Sequence, residues 1–107
     1  MNKLELLPIS IEYENSTFYL KVWVNAWYNL CIGYQKIDSD DPEDIILAYV
    51  VEKNKSEYIP DIIAKTETSG YNEEIGNCPT LDECITAMIH KINELTQKGV
   101  LKAEYHD

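Results

Sequence analysis

"TFYLKVWVNAWYNLCIGYQ", residues 17–35, carries the longest strict alternation in the chain, and its reading decides the fold class. Phe18, Leu20, Val22, Val24, Ala26, Tyr28, Leu30 and Ile32 fall on one side of an extended backbone, and Tyr19, Lys21, Trp23, Asn25, Trp27 and Asn29 fall on the other. Successive side chains of a strand point to opposite faces, so a period of two marks a half-buried sheet. The stretch is longer than an ordinary strand. It can be built as a bent strand with a bulge, or as a hairpin that turns near "NAWYN", residues 25–29. On a continuous strand Tyr19, Trp23 and Trp27 share one face with Lys21, Asn25 and Asn29, opposite the aliphatic core face. Tyrosine and tryptophan supply large contact area at low entropy cost, so such a face has the composition of a recognition surface. A turn at Asn25, or a helix laid across this side, would remove it.

Working outward, "PISIEYE" (8–14) alternates Ile9, Ile11 and Tyr13 against Ser10, Glu12 and Glu14, a second strand, and "ENST" (14–17) reads as the turn between the two. Downstream, "DDPEDIILAYVVEKN" (40–54) is ambiguous. Asp41 as N-cap, Pro42 at the first helical position and Glu43 and Asp44 in the first turn favour a helix. The β-branched Ile45, Ile46, Val50 and Val51 within one apolar run favour a buried strand. The balance favours a strand over Ile45–Glu52, paired with one near Tyr58–Thr66 across "KNKSE", with helix second.

The last element is a helix over residues 80–98. Thr80 and Glu83 form a capping box, while Leu81, Cys84, Ile85, Met88, Ile89, Ile92 and Leu95 recur at helical spacing. Lys98 and Gly99 suit its C-terminus. These elements predict a single α+β domain over residues 1–107: an antiparallel sheet of about four strands with one C-terminal amphipathic helix packed on one face.

The net charge of −10 is regional. Residues 1–37 hold three lysines and three glutamates, residues 84–107 three lysines and three acids, and residues 38–83 thirteen acids against three lysines. The densest run is "DSDDPED", residues 38–44, with Asp38, Asp40, Asp41, Glu43 and Asp44. Arginine is absent, so the planar fork that suits phosphate and guanine is missing, and the negative region repels a nucleic-acid backbone. Direct nucleic-acid binding is therefore not expected. A protein partner with a basic surface is.

Other classes find little support. The N-terminal "MNKLELLPISIEYEN" has no long apolar run or cleavage site, and no segment has the roughly 18 apolar residues of a membrane helix, so a cytoplasmic protein is expected. Cys31, Cys78 and Cys84 are odd in number and form no CxxC pair, which suits reduced thiols. There is no glycine-rich phosphate loop, G-x-S-x-G or H-E-x-x-H, and His90 and Cys84 lie on different helix faces, so no catalytic residue is assigned. "DSDDPEDIILAY" has the acid density of a calcium loop, but Glu43 stands at the glycine position and Tyr49 at that of the bidentate glutamate. No cofactor or metal is expected.

The run "GNCPTLDECITAMIHKI" (76–92) resembles the G-x-T-x-E-E-A helix start of HicB-type antitoxins, with Cys84 where that family has alanine. In that family paired strands lead into such a helix. The wider profile, small, acidic and arginine-free, is similar to toxin-immunity proteins and phage-encoded anti-defence inhibitors. The leading expectation is an inhibitor of a basic nucleic-acid-handling partner, binding through the acid run with Tyr19, Trp23 and Trp27. The alternative is a small-ligand or carbohydrate binder using the aromatic face. Homodimer formation is left open.

Overall fold

Three consecutive strands form a meander whose turns are set by local chemistry. In the computed structural model, which describes residues 3–41, 44–52 and 75–105, β1 (Ser10–Tyr13) passes to β2 (Ser16–Val24) through Glu14 and Asn15. Both turn residues are left-handed, with φ 49° and 65°, the two-residue geometry whose twist matches that of paired strands. β2 then pairs with β3 (Leu30–Lys36) from Phe18↔Lys36 to Val24↔Leu30. The long alternating stretch is thus a hairpin. Asn25 makes its turn: the side-chain Oδ1 accepts from the backbone N–H of Trp27 at 2.9 Å and of Asn29 at 3.0 Å, and its own N–H donates to the Asn29 carbonyl at 3.0 Å. An asparagine side chain that bonds nearby backbone in this way gives the chain an alternative to continuing the ladder.

The ambiguous segment is a strand. β4 (Ile45–Val51) pairs antiparallel with β3, and the pairing slips between Ile32↔Tyr49 and Tyr34↔Ile46, so Gly33 faces both Leu47 and Ala48. Leu47 supplies the extra residue and is left-handed at φ 55°, a strained setting for leucine. The bulge places Ile46 and Leu47 on the same side of the sheet as Tyr49, while Ile45, Ala48 and Val50 fall on the other. Both sides are buried, which is why seven apolar residues run without alternation and why a strand accommodates them better than a one-sided helix. Gly33 allows the close approach: a Cβ there would lie 3.1 Å from Ala48 Cα and 3.3 Å from the Ile46 carbonyl oxygen.

β5 (Gly76–Cys78) runs parallel to β4, and after α1 (Leu81–Gln97) the chain adds β6 (Leu101–Glu104) antiparallel to β1. The sheet order is β5-β4-β3-β2-β1-β6. The expected α+β class with one C-terminal helix is present, but the sheet is mixed and has six strands rather than about four antiparallel ones. β5 and β6 have only three and four residues, too few for a period to register. The expected partner strand at residues 58–66 lies outside the described residues.

Thr80 caps α1 with an extended backbone, its Oγ1 accepting from the Glu83 N–H at 3.2 Å. At the other end Gly99, at φ 74°, and Val100 donate to the Thr96 and Leu95 carbonyls at 3.1 and 2.9 Å, the paired bonds of a Schellman stop. Cys84, Ile85, Ala87, Met88, Ile92 and Leu95 are buried, and Leu81 and Ile89 pack at the margin. The helix touches β4, β5, β6 and a short 3-10 helix at Lys3–Leu6. Because it meets both edge strands, the sheet curls around it. The far end of the β2–β3 hairpin is left uncovered, with Val22 and Val24 45% and 60% exposed.

Candidate functional site

Gln35 organises the acidic end of the molecule. It is buried on β3, and its Nε2 donates to the backbone carbonyls of Asp41 at 3.2 Å and Asp44 at 3.3 Å, while its Oε1 accepts from Lys21 Nζ at 3.3 Å. One side-chain amide thus pins the β3–β4 connection to the strand that carries Tyr19 and Lys21. Within the connection Asp38 turns the chain in the left-handed region, which aspartate tolerates. Ser39 Oγ donates to Asp44 Oδ2 at 2.6 Å and accepts from the Asp41 N–H at 3.2 Å.

These bonds divide the acid run by role. The Asp44 carboxylate is half-buried and builds the loop, whereas Asp38, Asp40 and Asp41 are exposed. Glu43 lies outside the described residues. The side of the sheet away from α1 adjoins this loop, because Glu104, Ser10, Tyr19 and Gln35 are cross-strand neighbours and Glu12 follows Ser10 on the same side. Lys21 and Lys102 also lie on that side.

Of the three aromatic residues expected on one face, Tyr19 and Trp23 share the side of β2 away from α1, and Trp27 leaves it. Tyr19 pairs with Gln35 beside the acidic loop and is 45% exposed. Trp23 pairs with Cys31 and is half-buried against Cys31, Ile45, Ala48, Val50 and Ile75, with Lys21 Nζ 5.7 Å from its ring centroid. It covers a second core cluster, and its cation–π contact with Lys21 holds that lysine near Gln35. Trp27 falls in the turn, at the opposite end of β3 from the acidic loop, so it does not share a face with Tyr19. The structure therefore joins Tyr19 to the acid run and detaches Trp27. Alternation also placed Val22, Val24 and Tyr28 in the core, yet all three are exposed, Tyr28 by 90%.

Gln35 escaped the sequence reading. A glutamine in an apolar strand gives only a weak hint, the implied need to satisfy a buried amide.

All three cysteines are buried and none is in a disulfide, while His90 on α1 is exposed. Burial pushes the Cys31 thiol up to about 11, against a smaller downward pull from its Asn25 backbone hydrogen bond, and burial raises the Cys84 thiol too. Both are poor nucleophiles. Among the described residues no three His, Cys, Asp or Glu side chains converge as a metal-binding group. A cleft of about 250 Å³ opens by the acidic loop, lined by Tyr13, Glu14, Ser16, Phe18, Lys36, Asp44 and Ile46; ligand sites usually start near ~300 Å³. No described helix is long and apolar enough to cross a membrane.

The chain matches no family model, no curated protein and no solved structure with which it was compared.

Proposed function

We propose that this domain is a protein-binding module that occupies the basic surface of a nucleic-acid-handling partner, in the manner of immunity, antitoxin or phage anti-defence inhibitors. The observation that carries this reading is the Gln35 clamp, which holds the loop of Asp38, Asp40 and Asp41 beside the exposed Tyr19. A negative loop ordered before contact loses little conformational entropy on binding. Its field steers a positive cleft toward it and competes with the nucleic acid that the cleft would otherwise hold. Tyr19 supplies an amphipathic anchor at the rim of the charge.

Changing Asp38, Asp40 and Asp41 together to asparagine tests this. The fold should be unaffected, because exposed carboxylates contribute little to stability. With the partner captured from native lysate, the triple variant should associate roughly ten-fold or more slowly at low salt. Wild-type affinity should fall as salt shortens the screening length to about 8–10 Å. A captured partner whose binding ignores both salt and the three substitutions would remove the basis for an inhibitor role.

A further inference from the structure

The end of the molecule opposite the acidic loop carries a second surface. Val22, Val24, Trp27 and Tyr28, at the end of one hairpin, are 45%, 60%, 54% and 90% exposed. From Val22 to Leu30 the chain has no charged residue, although its net charge is −10. Tyr28 is left-handed at φ 61°, a position in which glycine or asparagine would be less strained. Folding gains little from a tyrosine that is strained and almost fully in water. Its presence there, next to Trp27, fits a contact made with another molecule.

We infer that this hairpin end docks a second copy of the same chain, forming a two-fold dimer through Val22, Val24, Trp27 and Tyr28. Area supports a weak, reversible association. The two aromatics and two valines expose roughly 400–500 Å² per copy, so covering all of it on both copies buries at most about the ~1,000 Å² total at which specific interfaces begin. Charge selects the geometry. Residues 22–30 carry no charge and Glu52 follows β4 at the same end, whereas the loop of Asp38, Asp40 and Asp41 lies at the other end of the seven-residue β3, roughly 20 Å away. Tip-to-tip pairing therefore keeps the two acidic loops several Debye lengths apart, whereas any approach through the acidic side would set like charges together. The contact is isologous, the same patch on both copies, and it leaves both acidic loops outward.

Sedimentation equilibrium of the full chain, from micromolar to millimolar concentration at low and high salt, tests the inference. The mass should rise from that of the monomer toward twice that value, with the dimer unchanged or strengthened by salt. Val24→Lys and Tyr28→Gly should each weaken it by about tenfold or more. Tyr28→Gly should also keep or raise the thermal midpoint of dilute protein, because glycine relieves the left-handed strain. The asparagine variant of Asp38, Asp40 and Asp41 should dimerise like wild type, which separates this inference from the inhibitor reading. A wild-type chain that stays monomeric throughout would overturn the dimer, as would a dimer indifferent to both tip substitutions. A monomer that co-sediments with phosphatidylcholine vesicles would overturn it too, and would assign the tip to lipid.

Discussion

Replacing Gln35 by methionine isolates the link between the fold and the acidic surface. Methionine keeps the unbranched bulk on β3 but removes both donors to the Asp41 and Asp44 carbonyls and the acceptor for Lys21. Each of three hydrogen bonds contributes about 0.5–1.5 kcal/mol net. At 3.2–3.3 Å all three are at the long end of the normal range, and the two carbonyls sit on a surface loop that water can reach. The low end of the range therefore applies, giving a loss of about 1–2 kcal/mol. For a domain of this size that lowers the thermal midpoint by roughly 4–15 °C. The loop should respond more than the global fold. Amide exchange at Ser39, Asp41 and Asp44 should accelerate in Gln35→Met by more than the loss of global stability, while the amides of α1 accelerate by no more than that loss. Partner association should also slow, although every carboxylate remains in place. Gln35→Glu gives a further check, since at neutral pH it directs a carboxylate oxygen at two carbonyls and should recover as the pH falls and the group gains a proton to donate. If Gln35→Met leaves the midpoint and the loop amides at wild-type values, the clamp does not order the loop.

Ile85 and Ile92 are both 1% exposed on the inner face of α1, so truncating either to alanine should cost about 2–5 kcal/mol in urea unfolding. Gly33→Ala should cost about 1–3 kcal/mol, because its Cβ would press on the backbone of Ala48 at 3.1 Å, and a compensating change at Ile45, whose Cγ2 lies at 3.2 Å, should recover only part of it. Stability should fall in alkali. The Cys31 thiol, raised to about 11 by burial, stays protonated in the folded chain while the unfolded thiol ionises near ~9, so its contribution is complete below about pH 9 and is lost as the pH rises toward 11. Cys84 is raised in the same direction, and each thiol adds a slope of up to about 1.4 kcal/mol per pH unit, measurable as the urea midpoint from about pH 8 to about pH 10. Cys31→Ala should flatten part of that slope.

Where structure follows from near neighbours, the sequence reading held. The alternation of Phe18 to Ile32 specifies paired strands because side-chain period is a local property of extended backbone. The left-handed Glu14–Asn15 turn, the Thr80–Glu83 cap and the Gly99 stop are likewise decided within a few residues, so the helix is found at 81–97 between its caps, within the expected 80–98. The regional acidity is also a sequence property, since charge count needs no fold.

Tertiary structure decided what depends on distant partners. Periodicity sorts Val22 with Phe18 and Leu20, but only the position of α1 over β4, β5 and β6 determines that Phe18 is buried and Val22 is not. The run from Ile45 to Val51 could not be assigned by pattern because a bulge at Leu47 and burial on both sides remove the alternation that would mark a strand. β5 and β6 exist because β4 and β1 offer them edges, not because three or four residues specify extension. The aromatic face failed for a related reason. Asn25 closed a turn, so Trp27 left the side that Tyr19 and Trp23 share, and Tyr19 was drawn to the acid run through Gln35. The bonds of that glutamine span six, nine and fourteen residues, and no local rule of period or propensity reaches across such separations.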